Sequence, residues 1–457
     1  MELKKLLKKA LESAKPEAEI MKKINKVSSE LIIELKNKIR QKKILAQVFV
    51  GGSLAKNTLV KTDDNIYDVD IFVRFNEKYH QKNDAPSHSK VCDLNGARFL
   101  AARESPHSKE CDFQDSRHET MSEILCDIVS NHAFKIHGSR DYYQLKKDNI
   151  ILEIIPVLKI NKPEKAKNVT DLSYFHVNYV LEKIKKRPRL ADEIILAKAF
   201  IHSQNAYGAE SYIHGFSGYS VELLILHYES FLKFIKAIAE SKEDKIIIDD
   251  KKFFKNKNEV KRELNEAKLF SPIILIDPTN KERNALSGLS KEIFDKFKLS
   301  CQEFLKKPKS SFFKKKNVSD KFKNYSNLRV VSIKTNKQIG DISGSKSKKF
   351  YDFFILNLKK DFIIKKSGFN YDENENLAKF YLVLDKKEDD LIKGPPIERI
   401  DNLTAFRKAH PDSYIKDGIA YAKLSHDFSF EEYIKNFIKK QDKILDEMSI
   451  EDIKLEK

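Results

Sequence analysis

The sequence predicts a multidomain α+β protein with a mixed-sheet α/β head, a helical central domain and a basic α+β body and tail. Three observations carry that expectation. Strand-like apolar runs bracket a Gly-Ser turn early in the chain, apolar residues recur at three and four through the middle, and both periods mix towards the end. The chain has 457 residues, enough for about three domains, and 41% are hydrophobic, enough for several ordinary cores. The expected divisions are residues 1–165, 166–305 and 306–457.

Taken in order, residues 1–44 alternate charged and apolar side chains at helical spacing, interrupted by Pro16. Residues 44–50 turn β-like and deliver Gly51-Gly52-Ser53-Leu54-Ala55-Lys56-Asn57-Thr58. Asn57 to Thr62 reads as a short helix or turn, Tyr67 to Phe75 as a strand, and Ile150 to Val157 as a second buried strand broken by Glu153. Between those strands lies a polar insertion, about residues 78–117. Within it His88-Ser89-Lys90-Val91-Cys92-Asp93 is echoed by His107-Ser108-Lys109-Glu110-Cys111-Asp112. Two His-x3-Cys pairs offer four ligands for a tetrahedral zinc, but the usual Cys-x2-Cys knuckle is missing, which favours a duplicated insertion in a surface loop. Leu190 to Gln204 and Tyr219 to Ile238 read as helices, Ile246 to Phe254 and Leu269 to Asp277 as short strands. A Lys-rich stretch, Lys306 to Lys323, precedes strand-like runs at Leu328 to Ile333 and Leu377 to Leu384 and a helix at Phe428 to Leu445.

The chemistry concentrates at the Gly-Ser turn and Asp68-Val69-Asp70. Residues two apart on a strand share a face, so both carboxylates point the same way. Side by side they repel unless a dication bridges them, and paired metals serve phosphoryl and nucleotidyl transfer. Ile66, Val69, Ile71, Phe72 and Val73 make the strand apolar, which argues against two merely solvated acids. Glu153, between Leu152 and Ile154, supplies a third carboxylate on another strand. Ser53 and Lys56 are placed to hold a triphosphate, the serine by hydroxyl and turn amides, the lysine as a point charge.

Lys and Arg number 86 against 68 Asp and Glu, a net charge of +18 that favours a polyanionic partner, nucleic acid before membrane. The four cysteines, Cys92, Cys111, Cys126 and Cys301, are too few for a disulfide framework. No window approaches the roughly 18 uninterrupted apolar residues of a membrane span, and the first residues lack a signal-peptide core. A cytoplasmic protein is expected.

At these residues the chain resembles the archaeal-type, class I CCA-adding enzymes, tRNA nucleotidyltransferases of the polymerase-β-like superfamily. The likeness extends through Asn205-Ala206-Tyr207-Gly208-Ala209-Glu210, His214-Gly215-Phe216-Ser217-Gly218-Tyr219-Ser220-Val221-Glu222, Asp277-Pro278 with Arg283-Asn284, Gly394-Pro395-Pro396 and His410-Pro411-Asp412. It covers most of the chain outside residues 78–117. The resemblance implies sequential addition of C, C and A to tRNA from CTP and ATP, with two Mg²⁺ ions held by Asp68, Asp70 and Glu153. It implies that Gly52, Ser53, Lys56, His176, Lys198 and Tyr207 bind the nucleotide, and that Arg283 shapes the base pocket with the RNA end. Phe216 and Tyr219 are expected in the core. Lys198 sits among Ile194, Ile195, Ala197 and Phe200, so a buried ammonium there requires an anion.

Two residues depart from the family pattern. Lys56 stands where arginine is usual, keeping charge without the bidentate fork, and Glu153 stands where aspartate is usual. A homodimer is compatible with the resemblance. Two other functions fit the same residues: a relaxed terminal nucleotidyltransferase tailing other RNAs, and a non-catalytic tRNA-binding protein, which the three retained acids disfavour.

Overall fold

A computed structural model describes residues 2–61, 65–79, 120–129, 133–136, 140–315, 317–336, 340–373, 375–424, 426 and 428–456. They form two compact units, one of residues 1–209 with 214–315, the other of residues 210–213 with 316–457.

The first unit opens with helices α1 (Glu2–Ala14) and α2 (Ala18–Gln41), separated around Pro16. Next come strand β1 (Ala46–Val50), the single-turn helix α3 (Gly52–Ala55) and strand β2 (Tyr67–Phe75). Of the short helix or turn expected from Asn57, the structure has the turn: Lys56 and Asn57, the latter at φ +53°, follow α3 directly, and residues 58–61 form no helix. Helix α4 (Met121–Ile128) begins at a capping box between Thr120 and Glu123, and strands β3 (Phe134–Ile136), β4 (Tyr142–Lys147) and β5 (Ile150–Leu158) follow. The sheet runs β1-β2-β5-β4-β3, with β2 and β5 parallel and the other pairs antiparallel. Val69, Ile71 and Val73 of β2 and Leu152 and Ile154 of β5 enter one core with Ile24, Leu31 and Leu35 of α2 and Leu125 of α4. By the period of two, Asp68, Asp70 and Glu153 fall on the opposite face.

Helices α5 (Ser173–Lys186), α6 (Arg189–Ser203), α7 (Gly218–Tyr228) and α8 (Phe231–Glu240) make the helical part. What reads as one helix over 219–238 is broken at Glu229, whose φ is +65°, and restarted by Ser230, whose side chain accepts from the Lys233 amide. Strand β6 (Ile246–Ile248), helices α9 (Lys257–Glu263) and α10 (Glu266–Leu269), and strands β7 (Ile273–Asp277) and β8 (Asn280–Asn284) lead into α11 (Lys291–Lys306). Both strands expected here are shorter than their apolar runs: β6 ends at Ile248, and Leu269 closes α10 rather than starting β7. The core of this part centres on Phe200, whose ring meets those of Phe231, Phe297, Phe304, Phe312 and Phe313. Helix α1 packs here, through Leu3, Leu6, Leu7 and Ala10, and not against the sheet.

The second unit contains β9 (Leu328–Thr335), α12 (Gly340–Leu358), β10 (Phe362–Asp372), β11 (Leu377–Lys386), β12 (Asp390–Pro396), α13 (Ile400–Ala409), β13 (Tyr414–Lys416), β14 (Ile419–Leu424), α14 (Phe430–Lys440), α15 (Asp442–Glu447) and β15 (Ile450–Leu455). Its antiparallel sheet runs β10-β11-β9-β15, and a smaller one runs β12-β14-β13. Phe350, Phe354, Phe380 and Phe437 fill its core.

Candidate active site

The turn after β1 is shaped by two β2 side chains. A Cβ on Gly51 would lie 2.1 Å from Cε2 of Phe72, and one on Gly52 only 1.6 Å from Oδ2 of Asp70. Gly52 also has φ +54°, in the left-handed region that glycine enters without strain. The Gly51 amide donates to the Asp70 carbonyl at 2.8 Å, fixing turn and strand together.

Asp70 is the register partner of Glu153 across the parallel β2–β5 pair, with Asp68 opposite Ile151. All three acids therefore rise from one face on neighbouring strands. Their carboxyl groups are not gathered into a cage: among the described residues no three acidic, histidine or cysteine side chains stand close enough to enclose an ion. Glu153 Oε1 instead accepts from Gln144 Nε2 of β4 at 2.8 Å. Asp68, reachable by solvent yet walled by protein, is pushed up to about 6, first by desolvation and then by the charge of Asp70. Burial also raises Asp70, against the opposing pull of Lys56 and Lys198. Two close carboxylates that both resist ionisation, with no described cation paired to either, suit a divalent cation.

A cleft of about 320 Å³ lies over this face, lined by Gly52, Ser53, Lys56, Asp68, Asp70, His176, Lys198 and Tyr207 among others. The two lysines share a carboxylate of α7. Lys56 Nζ donates to Glu222 Oε2 at 2.6 Å and Lys198 Nζ to Oε1 at 2.9 Å, all three residues being buried. The anion required by Lys198 is thus Glu222. Burial alone would raise the Glu222 carboxyl, but the charges and hydrogen bonds of Lys198 and Lys56 hold it below the usual range.

Arg283 and Glu153 do not line the cleft. Arg283 Nη1 donates to Asp277 Oδ2 at 2.7 Å, and the same oxygen lies 2.9 Å from His176 Nε2. Asp277 Oδ1 accepts from the Tyr219 hydroxyl at 3.1 Å and from the Thr279 amide and hydroxyl. Burial opposes ionisation of Asp277, yet His176, Arg283 and Thr279 hold its carboxyl well below the usual carboxylate range. Tyr219 stacks on His176 with ring centroids 4.0 Å apart, so it serves the cleft wall, whereas Phe216 is fully buried. Tyr207 stacks on His202 at 3.8 Å, and burial, with Lys315 and Lys198, drives His202 down to about 3, leaving it neutral.

Glu222, Thr58, His202 and Asp277 join the site without having been assigned roles from sequence. Glu222 carried a signal: one acid amid Val221, Leu223 and Leu224 on a buried helix demands a cation. His88, Cys92, His107 and Cys111 lie outside the described residues.

Residues 192–314 match the family described as tRNA nucleotidyltransferase, second domain. The chain is 30% identical to the CCA-adding enzyme of Nanoarchaeum equitans, with 84% of each chain covered. It is 27% identical to that of Methanocaldococcus jannaschii, covering 93% of this chain and 88% of the relative. A solved cytoplasmic RNA terminal U-transferase is similar at a TM-score of 0.46 and 12% identity, covering 69% of this chain and 99% of that one. The chain belongs to the archaeal-type CCA-adding enzymes.

Proposed function

We propose that this protein builds the terminal C-C-A of tRNA, one nucleotide at a time, from CTP and ATP and without a nucleic-acid template. The observation that carries the reading is the register of Asp70 with Glu153 on parallel strands, with Asp68 on the same face. Asp68 and Asp70 would hold divalent cations, two Mg²⁺ in this reading, with Glu153 joining them on release from Gln144. Ions bound there would supply Lewis acidity, lowering the pKa of the attacking 3′-hydroxyl and neutralising charge at the α-phosphate.

The chain's own residues do the rest. Gly52, Ser53 and Lys56 hold the triphosphate, and Lys198 and Tyr207 close that end of the cleft. His176, held between Tyr219 and Asp277, faces the nucleotide, and Arg283 takes its orientation from the same aspartate. The RNA 3′-oxygen then bonds to the α-phosphorus, the bond to the β-phosphate breaks, pyrophosphate leaves with the electron pair and the hydroxyl proton is lost to water. Residues 1–165 act as catalytic head, 166–305 as nucleotide-binding centre, and 306–457, with the basic stretch 306–323, as the region that holds tRNA phosphates. No helix among the described residues is long and apolar enough to cross a membrane; action in the cytoplasm, away from membranes, completes the reading, and a homodimer is compatible with it.

The test is extension of tRNA ending at its discriminator base, with all four NTPs and Mg²⁺, followed by product sequencing. Addition of C, C and A and then arrest is expected. Runs of A or U would assign the protein to relaxed RNA tailing. Extension by a protein carrying both Asp68→Asn and Asp70→Asn would remove the carboxylates from the mechanism.

A further inference from the structure

Behind the cleft, Glu222 receives more cation than it can neutralise. An ammonium has three N–H donors. Those of Lys198 are all engaged, by Glu222 Oε1 at 2.9 Å, Thr58 Oγ1 at 3.1 Å and the Thr58 carbonyl at 3.4 Å. Thr58 Oγ1 itself donates to Glu222 Oε1 at 3.2 Å, so the carboxylate is anchored from that side. Lys56 differs. Its one acceptor among the described residues is Glu222 Oε2, at 2.6 Å, and it lines the cleft beside Ser53 and Asp70. Two of its three donors therefore remain for a ligand.

We infer that Glu222 is a positioning residue: anchored by Lys198 and Thr58, it aims the Lys56 ammonium at the triphosphate of the incoming nucleotide. The inference rests on the nucleotidyl-transfer reading above. Lysine carries a point charge on a flexible four-carbon stem, where a guanidinium would bring a planar fork of its own. A lysine in this place needs an external group to fix its direction, and Glu222 supplies it from helix α7. Both charges of the Lys56–Glu222 pair are almost wholly buried, so the pair persists until a stronger or additional anion enters the cleft.

The full-length chain tests this by steady-state tRNA extension with wild type, Lys56→Met, Glu222→Gln and the Lys56→Met/Glu222→Gln double variant. Glu222→Gln alone leaves two buried ammonium groups without their anion and can fail to fold; the double variant leaves one, Lys198, which Thr58 still holds, and a melting curve establishes that it is folded before its kinetics are compared. Lys56→Met is expected to raise KM for both CTP and ATP about tenfold or more, with a smaller change in kcat and a parallel weakening of pyrophosphate inhibition. If Glu222 acts through Lys56, the double variant matches Lys56→Met within about threefold. Glu222→Asp, which keeps the charge, recovers part of the KM lost in any folded Glu222→Gln protein. A double variant about tenfold worse than Lys56→Met overturns the inference, as does an unchanged KM in Lys56→Met. Wild-type protein that adds no nucleotide to tRNA overturns the underlying reading instead, and the same cycle is then read as CTP binding by calorimetry.

Discussion

At the residue scale, the site is built by what is missing from Gly52 as much as by what is present on Asp70. The carboxylate occupies the space a Cβ would take, and φ at that glycine is positive. Gly52→Ala is therefore expected to displace Asp70 by about 1 Å or more and to lower kcat by about 100-fold. The left-handed conformation costs an L-residue about 1–2 kcal/mol, so a melting curve that shows a folded protein separates the loss of kcat from unfolding. Asp68 sets a pH dependence. Its folded pKa of about 6 lies above the ordinary 3.8, so its contribution to folding is complete below about pH 4 and lost as pH rises through 6. A divalent cation needs the ionised form and works in the opposite sense. Mg²⁺ should raise the melting temperature at about pH 7.5 and do little at about pH 5, checked by thermal melts with and without the ion. Equal protection at both values would assign binding to other groups. Asp68 and Asp70 were readable from sequence because a strand's period of two fixes their common face. Glu222 is not paired by sequence alone, because its partners lie 166 and 24 residues away and no local pattern joins them.

At the scale of elements, apolar periodicity locates helices better than it ends them. The run through α7 and α8 keeps its spacing across Glu229, and only the left-handed φ there and the Ser230 cap divide it. Removing that cap with Ser230→Ala should cost about 1 kcal/mol, measured by denaturant unfolding. Strands written with lysine were harder to see. β10 carries Lys365 and Lys366 at the edge of its sheet, where among the described residues one side of the strand has no partner strand and charged side chains are tolerated.

At the scale of the whole molecule, a phenylalanine core stabilises the helices that bring Lys198, Tyr219 and Glu222 to the cleft. Phe200 is fully buried at its centre, and Phe200→Ala should cost about 3–5 kcal/mol by denaturant unfolding, loosening the cleft wall with it. Net charge acts over a longer range. With +18 on the chain, tRNA affinity should fall at least about tenfold between roughly 50 and 200 mM salt, measured by filter binding, with little dependence on tRNA sequence. Salt-insensitive binding would mean that phosphate contacts do not dominate.

By itself, the sequence determined that two aspartates share one strand face beside a glycine turn, that a glutamate interrupts a second buried strand, and that helices fill the middle of the chain. Each follows from a repeat of two or of three to four residues, which the backbone imposes locally. Tertiary structure decided that Asp70 and Glu153 are neighbours in register, that Glu222 ties Lys56 to Lys198, and that Asp277 holds His176, Tyr219 and Arg283. Those partners are brought together only by chain closure and burial, where an ion must find its counterion, and no periodicity in the sequence records which one it finds.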